Sequence, residues 1–172
     1  MKLSPKIQKR ISELQVDSYS GYELSLEKIC KELNLACFEA DLDDGLSGLL
    51  LKEGESYSIY VNNNHAFSRQ RFTIAHEIGH YVSYLMNSFS KDELEKEGRF
   101  EDKAVTFRKD GAYSDAETEA NMIAAELLMP KEKVAELLKQ ELSPEEMADL
   151  FYVSPSAMTI RLQTLYPSLS II

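Results

Sequence analysis

Histidine is scarce in this chain, and two of its three copies stand four residues apart around a glutamate, in His76-Glu77-Ile78-Gly79-His80. On a helix, positions i and i+4 lie on one face, one turn apart. Two imidazole nitrogens at that separation can share one tetrahedral Zn2+. Glu77 lies beside His76 around the helix, placed to reach a water at the metal rather than the metal itself. The chemistry such a set performs is metal-assisted hydrolysis. An accidental HExxH arises about once in a hundred chains of this kind, so context has to decide. The apolar stripe Ala75, Ile78, Val82 and Leu85 is expected to be buried, leaving His76 and His80 on a neighbouring face that looks into a cleft.

A catalytic zinc takes three protein ligands and keeps one position open for water. His65 follows the strand-like SIYVNNN and reads as a surface loop residue. The better source of a third ligand is a helical pattern at 115 to 128, where Glu117 and Asn121 share a face. A carboxylate on the metal, followed one turn later by an amide oxygen that accepts from a ligating histidine N–H, is a workable pair. Glu119 competes from about 200° around the same helix. A structural reading also stands: both glutamates oppose the helix dipole, and Ser114 with Glu117 forms a capping-box pattern.

The elements that must position these residues follow from periodicity. Helical spacing covers 4 to 17 and 23 to 34, with Asn34 as the second stop. The period then changes: ACFEADL, SGLLLKEG and SYSIYVN are short, β-rich and separated by Asp-Asp-Gly and Glu-Gly-Glu turns. This predicts a three-stranded antiparallel sheet over roughly 36 to 62. A long helix is expected from Ser68 to about Asn87. Residues 91 to 103 hold ten charged positions out of thirteen and read as a solvated helix or excursion. The 115 to 128 helix ends before Pro130, and shorter helices fit 131 to 140, 144 to 151 and 155 to 165.

Composition narrows the classes. The chain has 172 residues, 44% hydrophobic and 28% charged, with a net charge of −10. That suits a single globular unit and opposes non-specific contact with nucleic-acid phosphates. No apolar run nears the roughly 18 residues that span a bilayer, and the opening MKLSPKIQKRISELQ is not a signal-peptide core. Cys30 and Cys37 match neither a metal knuckle nor a disulfide framework and read as reduced thiols of a cytoplasmic protein.

RQRFTIAHEIGHY (69 to 81) and ETEANMIAAELLMP (117 to 130) together resemble the ImmA/IrrE family of zinc metallopeptidases, whose members show RFTxAHExGH followed by ExxANxFAxxLLMP. SGLLLKEGESYSIYVNNN resembles the family's small sheet. The resemblance covers roughly 24 to 165. Ile123 stands where phenylalanine is usual, and the charged stretch 91 to 103 is a second departure. The resemblance implies His76, His80 and Glu117 as zinc ligands, a gluzincin-like set, with Glu77 as catalytic base. It also implies a substrate: a helix-turn-helix transcriptional repressor of a prophage or mobile element, which the enzyme removes as an anti-repressor.

The expected architecture is α+β, with the sheet packed on a zincin-like HExxH helix and a second ligand helix. Residues 1 to 140 form the metallopeptidase domain, and 141 to 172 a helix-turn-helix-like segment packed on it. VSPSAMTIRL (153 to 162) is also similar to the family's C-terminal segment. That segment carries four acidic residues and one cation, Arg161, so a helical hairpin is favoured over DNA binding. Tyr81, Tyr84 and Tyr113 are candidates for a neutral donor to the oxyanion. Two other readings are a non-cleaving interaction protein or toxin–antitoxin partner, and a DNA-binding regulator.

Overall fold

The computed structural model describes residues 1–43, 45–86, 99–103 and 115–168. Helix α1 (Pro5–Gln15) opens on Ser4, whose hydroxyl accepts from the Ile7 N–H, with proline in the first turn. A two-strand hairpin follows, β1 (Tyr19–Ser20) and β2 (Glu23–Leu24), turning at Gly21 with φ 62°. The hairpin takes the first residues of the expected second helix, so α2 spans only Leu26–Glu32, capped by Ser25. Asn34 stops it in the left-handed region with φ 56°.

The main sheet departs from expectation in both order and direction. Its strands are β3 (Leu35–Ala40), β4 (Leu46–Glu53), β5 (Ser56–Asn62) and β6 (Arg99–Lys103), in spatial order β3-β5-β4-β6. β3 runs parallel to β5, and β4 is antiparallel to both β5 and β6. The sheet is therefore mixed and four-stranded, not antiparallel and three-stranded. The Asp-Asp-Gly stretch does not join neighbours. The carbonyls of Leu42 and Asp43 lie at the end of β5. Asn62, fully buried at that end, donates from Nδ2 to the carbonyls of Leu42 and Leu46 at 3.1 and 2.9 Å. One buried amide thus satisfies carbonyls that a hairpin would have paired. β6 corrects a second expectation. Residues 99–103, expected as part of a solvated helix or excursion, pair with β4, with a bulge between Leu46 and Gly48. Pairing uses backbone groups, and charge is ordinary on a sheet edge, so composition concealed the strand. Residues 91–98 lie outside the described residues.

Helix α3 (Phe67–Leu85) crosses one face of the sheet, and α4 (Asp115–Leu128) lies along α3. Ala75, Ile78 and Val82 of α3 are fully buried with Leu50, Ile59, Ile123 and Leu127 in one core. Each large apolar side chain so buried contributes roughly 1.5–3 kcal/mol. Leu85, expected on the buried stripe, is 40% exposed at the end of the helix. Helices α5 (Lys131–Leu138), α6 (Pro144–Phe151) and α7 (Pro155–Leu165) complete the chain. Met147, Phe151, Met158 and Leu162 join the same core. Tyr22 meets Phe151 edge-on at 5.5 Å, tying the hairpin to α6. Among the described residues, no helix is long and apolar enough to cross a membrane.

Candidate metal centre

The centre is built where two helix backbones touch. A Cβ on Gly79 would lie 2.7 Å from the Ala120 carbonyl oxygen and 2.9 Å from its Cα. Only glycine allows α3 and α4 to approach this closely. The approach brings Glu117, three residues before Ala120, and Asn121, the residue after it, against the histidine face of α3. Sequence reading gave Gly79 no role; a glycine inside an otherwise good helix was the signal that a backbone comes close.

His76 Nε2 and His80 Nε2 are 3.0 Å apart. Glu117 Oε2 lies 3.3 Å from the first and Oε1 3.2 Å from the second. Metal–ligand bonds of about 2.0–2.1 Å at tetrahedral angles place ligand atoms about 3.3 Å apart, so the spacing suits one zinc-sized ion. Among the described residues this is the group of histidine, cysteine, aspartate and glutamate side chains that could hold a metal. Both histidines are buried, while the Glu117 side chain is 32% exposed, so the cluster reaches the surface on the carboxylate side. His76 Nδ1 lies 3.0 Å from Asn121 Oδ1. An amide oxygen only accepts, so Nδ1 carries the proton and Nε2 keeps its lone pair for a metal.

The Glu117 carboxyl feels opposing pulls. Burial raises it, but once His76 and His80 are protonated their hydrogen bonds and charge outweigh burial and hold it well below the usual carboxylate range. It is ionised at neutral pH. Three lone-pair donors converging within 3.3 Å is an arrangement that a cation relieves.

Residues 30–163 match the family model Peptidase_M78, IrrE N-terminal-like domain. The chain belongs to this family, the ImmA/IrrE metallopeptidases. No curated protein matches it.

Other residues weighed for the M78 centre fall elsewhere. Glu119 is buried but lies outside the cluster, and so does His65 on the loop before α3. Glu77 is fully buried next to the ligands, and a Cβ on Gly48 of β4 would stand 3.9 Å from its Oε1 and 2.5 Å from Thr73 Cγ2. The β4 backbone therefore walls the Glu77 side of the centre. Arg69, which sequence reading passed over, fastens that wall: its Nη2 donates to Ser47 Oγ at 2.8 Å. Tyr81 and Tyr84 pack on Tyr57 of β5, with ring centroids 4.9 and 5.6 Å away. Tyr113 and Ser114 lie outside the described residues.

Proposed function

We propose that this chain is a cytoplasmic zinc-dependent endopeptidase that cleaves a helix-turn-helix transcriptional repressor, and so acts as an anti-repressor of a prophage or mobile element. The observation that carries the peptidase reading is the convergence of His76, His80 and Glu117 beside the buried Glu77 in an M78 chain. The substrate class rests on the likeness of the two motifs to the ImmA/IrrE family.

In this reading His76, His80 and Glu117 hold the ion, and Asn121 fixes the His76 ring. Bound there, zinc supplies Lewis acidity, polarising a carbonyl and easing deprotonation of water. Glu77 accepts the proton of the attacking water and passes it to the leaving amine. Its buried position keeps bulk water from competing for that proton. The β4 wall at Gly48 limits how far Glu77 can swing.

The test incubates wild type and Glu77→Gln with a purified helix-turn-helix repressor, read by intact mass. The variant should keep zinc and lose cleavage by about 100-fold or more, since an amide cannot take the proton. Cleavage by the variant at the wild-type rate would remove Glu77 as base. An intact repressor after incubation with zinc-loaded wild type would favour the non-cleaving partner instead.

A further inference from the structure

A groove of about 680 Å3 opens between the β1–β2 hairpin and α6, and none of its lining belongs to the metal cluster. Its apolar surface comes from Tyr22, Leu142 and Leu150. Tyr22 is fixed as a wall: its ring meets Phe151 edge-on, and its hydroxyl donates to Glu136 at 2.9 Å. The charge comes from Glu23, Glu146 and Asp149, and among the described residues no lysine, arginine or histidine lines the groove. Two cations stand near it, and both are engaged. Arg71 pairs with Glu23 at 3.9 Å, but its side chain is 8% exposed and its Nη2 donates to the Leu24 carbonyl at 2.9 Å. Lys133 donates to the Gly21 carbonyl at 2.8 Å and lies over the Tyr19 and Tyr22 rings. Among the described residues, no cation pairs with Glu146 or Asp149.

Three residues on the α6 side sit where folding alone would not put them. Asp149 stands in the last turn of α6, which holds no basic residue, so its charge opposes the negative end of the helix. Leu150 is 38% exposed. Tyr152 adopts the left-handed region, φ 55° and ψ 44°, where a side chain costs about 1–2 kcal/mol, and its ring is still half in solvent. The Arg71 guanidinium lies 5.9 Å from the centroid of that ring. Local preference fails repeatedly along one edge of one groove, the pattern expected where function rather than stability chooses the residues.

We infer that this groove docks a basic, amphipathic segment of a partner protein, its apolar side chains against Tyr22, Leu142 and Leu150 and its lysine or arginine side chains against Glu146 and Asp149. Charge complementarity selects the occupant. Exposed carboxylates with no cation of their own repel nucleic acid and anionic membrane and attract lysine and arginine. The apolar walls select against a small free cation, which would leave them wet. Resting on the peptidase reading, the partner is the repressor and the segment is its DNA-binding face, which is basic because it meets phosphates. Docking there holds the substrate by a surface separate from the bond that is cut.

The probe is a fluorescein-labelled amphipathic peptide with lysine on one face and leucine on the other. It is titrated with the full chain and read by anisotropy, with intact mass checking that it stays uncut. Wild type should bind it, more weakly as salt rises. Peptides with glutamate for lysine, or serine for leucine, should bind about tenfold or more weakly. Asp149→Lys should lose about tenfold in affinity yet melt no lower than wild type, because the new charge suits the helix end. Wild-type affinity in Asp149→Lys would overturn the proposal. So would equal binding of the serine peptide, which would leave only a charged surface. A wild-type dimer in sedimentation that Asp149→Lys breaks would also overturn it, since a second copy would then fill the groove. With the repressor as substrate, Asp149→Lys should raise KM about tenfold and leave kcat unchanged. A repressor that wild type leaves uncut would sink the peptidase reading, while the anisotropy still decides the groove.

Discussion

Two helix pairs of this molecule use polar side chains in opposite ways. Along α3 and α4, His76, His80 and Glu117 turn toward one another until their ligand atoms are 3.0–3.3 Å apart. In α6 and α7 the polar groups serve the helices themselves. Ser143 and Glu146 form a reciprocal capping box, and Ser154 caps α7. Arg161, the one cation between 141 and 172, is buried: its Nε donates to the Met129 carbonyl at 2.9 Å, and Nη2 pairs with Glu126. The first pair concentrates metal-ligand atoms at one point. The second meets its polar needs internally and offers phosphates no buried-to-surface cation. Chemistry follows convergence, not the mere presence of reactive residue types.

The largest effect expected from breaking this contrast is on metal. Zinc should raise the wild-type melting temperature, the gain approaching about 4 kcal/mol at a thousandfold excess over Kd. His76→Ala or His80→Ala should abolish that gain. The gain should also fade at acid pH, because protonated imidazole cannot ligate. Glu117 will not set this limit, since its histidine partners hold it ionised to lower pH.

Gly79→Ala comes next. Glycine to alanine in a helix interior ordinarily stabilises by about 1 kcal/mol. Here the new methyl would meet the Ala120 backbone, so a loss of about 1–3 kcal/mol is expected, with weaker zinc binding as α4 is pushed off. A stabilised variant with intact zinc affinity would show that the helices do not meet as described. In the other pair, Arg161→Met should cost about 2 kcal/mol in chemical denaturation through the lost buried hydrogen bonds, yet leave zinc affinity unchanged. The smallest effect belongs to Ser154→Ala, about 1 kcal/mol from a lost cap, again with no change in metal.

Much of the site was legible because helix periodicity and ligand spacing are local properties. The residue spacing placed His76 and His80 on one face, and Glu117 with Asn121 on another, in helices now seen at Phe67–Leu85 and Asp115–Leu128. Non-local facts were not. Insertion of β5 between β3 and β4 depends on Asn62 reaching Leu42 and Leu46 across the sheet end. The strand at 99–103 forms through backbone pairing beneath a charged sequence. Glu119, which reads as a competing ligand or a carboxylate opposing the helix dipole, is buried. For both strands a partner distant in sequence decides the outcome.

The most direct test is a zinc titration of wild type, Glu117→Ala and Glu119→Ala side by side, by competition with a chromophoric chelator. The account predicts one zinc per chain for wild type. Glu117→Ala should bind at least about 100-fold more weakly, with only two histidines left. Glu119→Ala should bind as wild type while melting lower, because its site is buried. Wild-type affinity in Glu117→Ala, or loss of zinc in Glu119→Ala alone, would contradict the assignment of the centre.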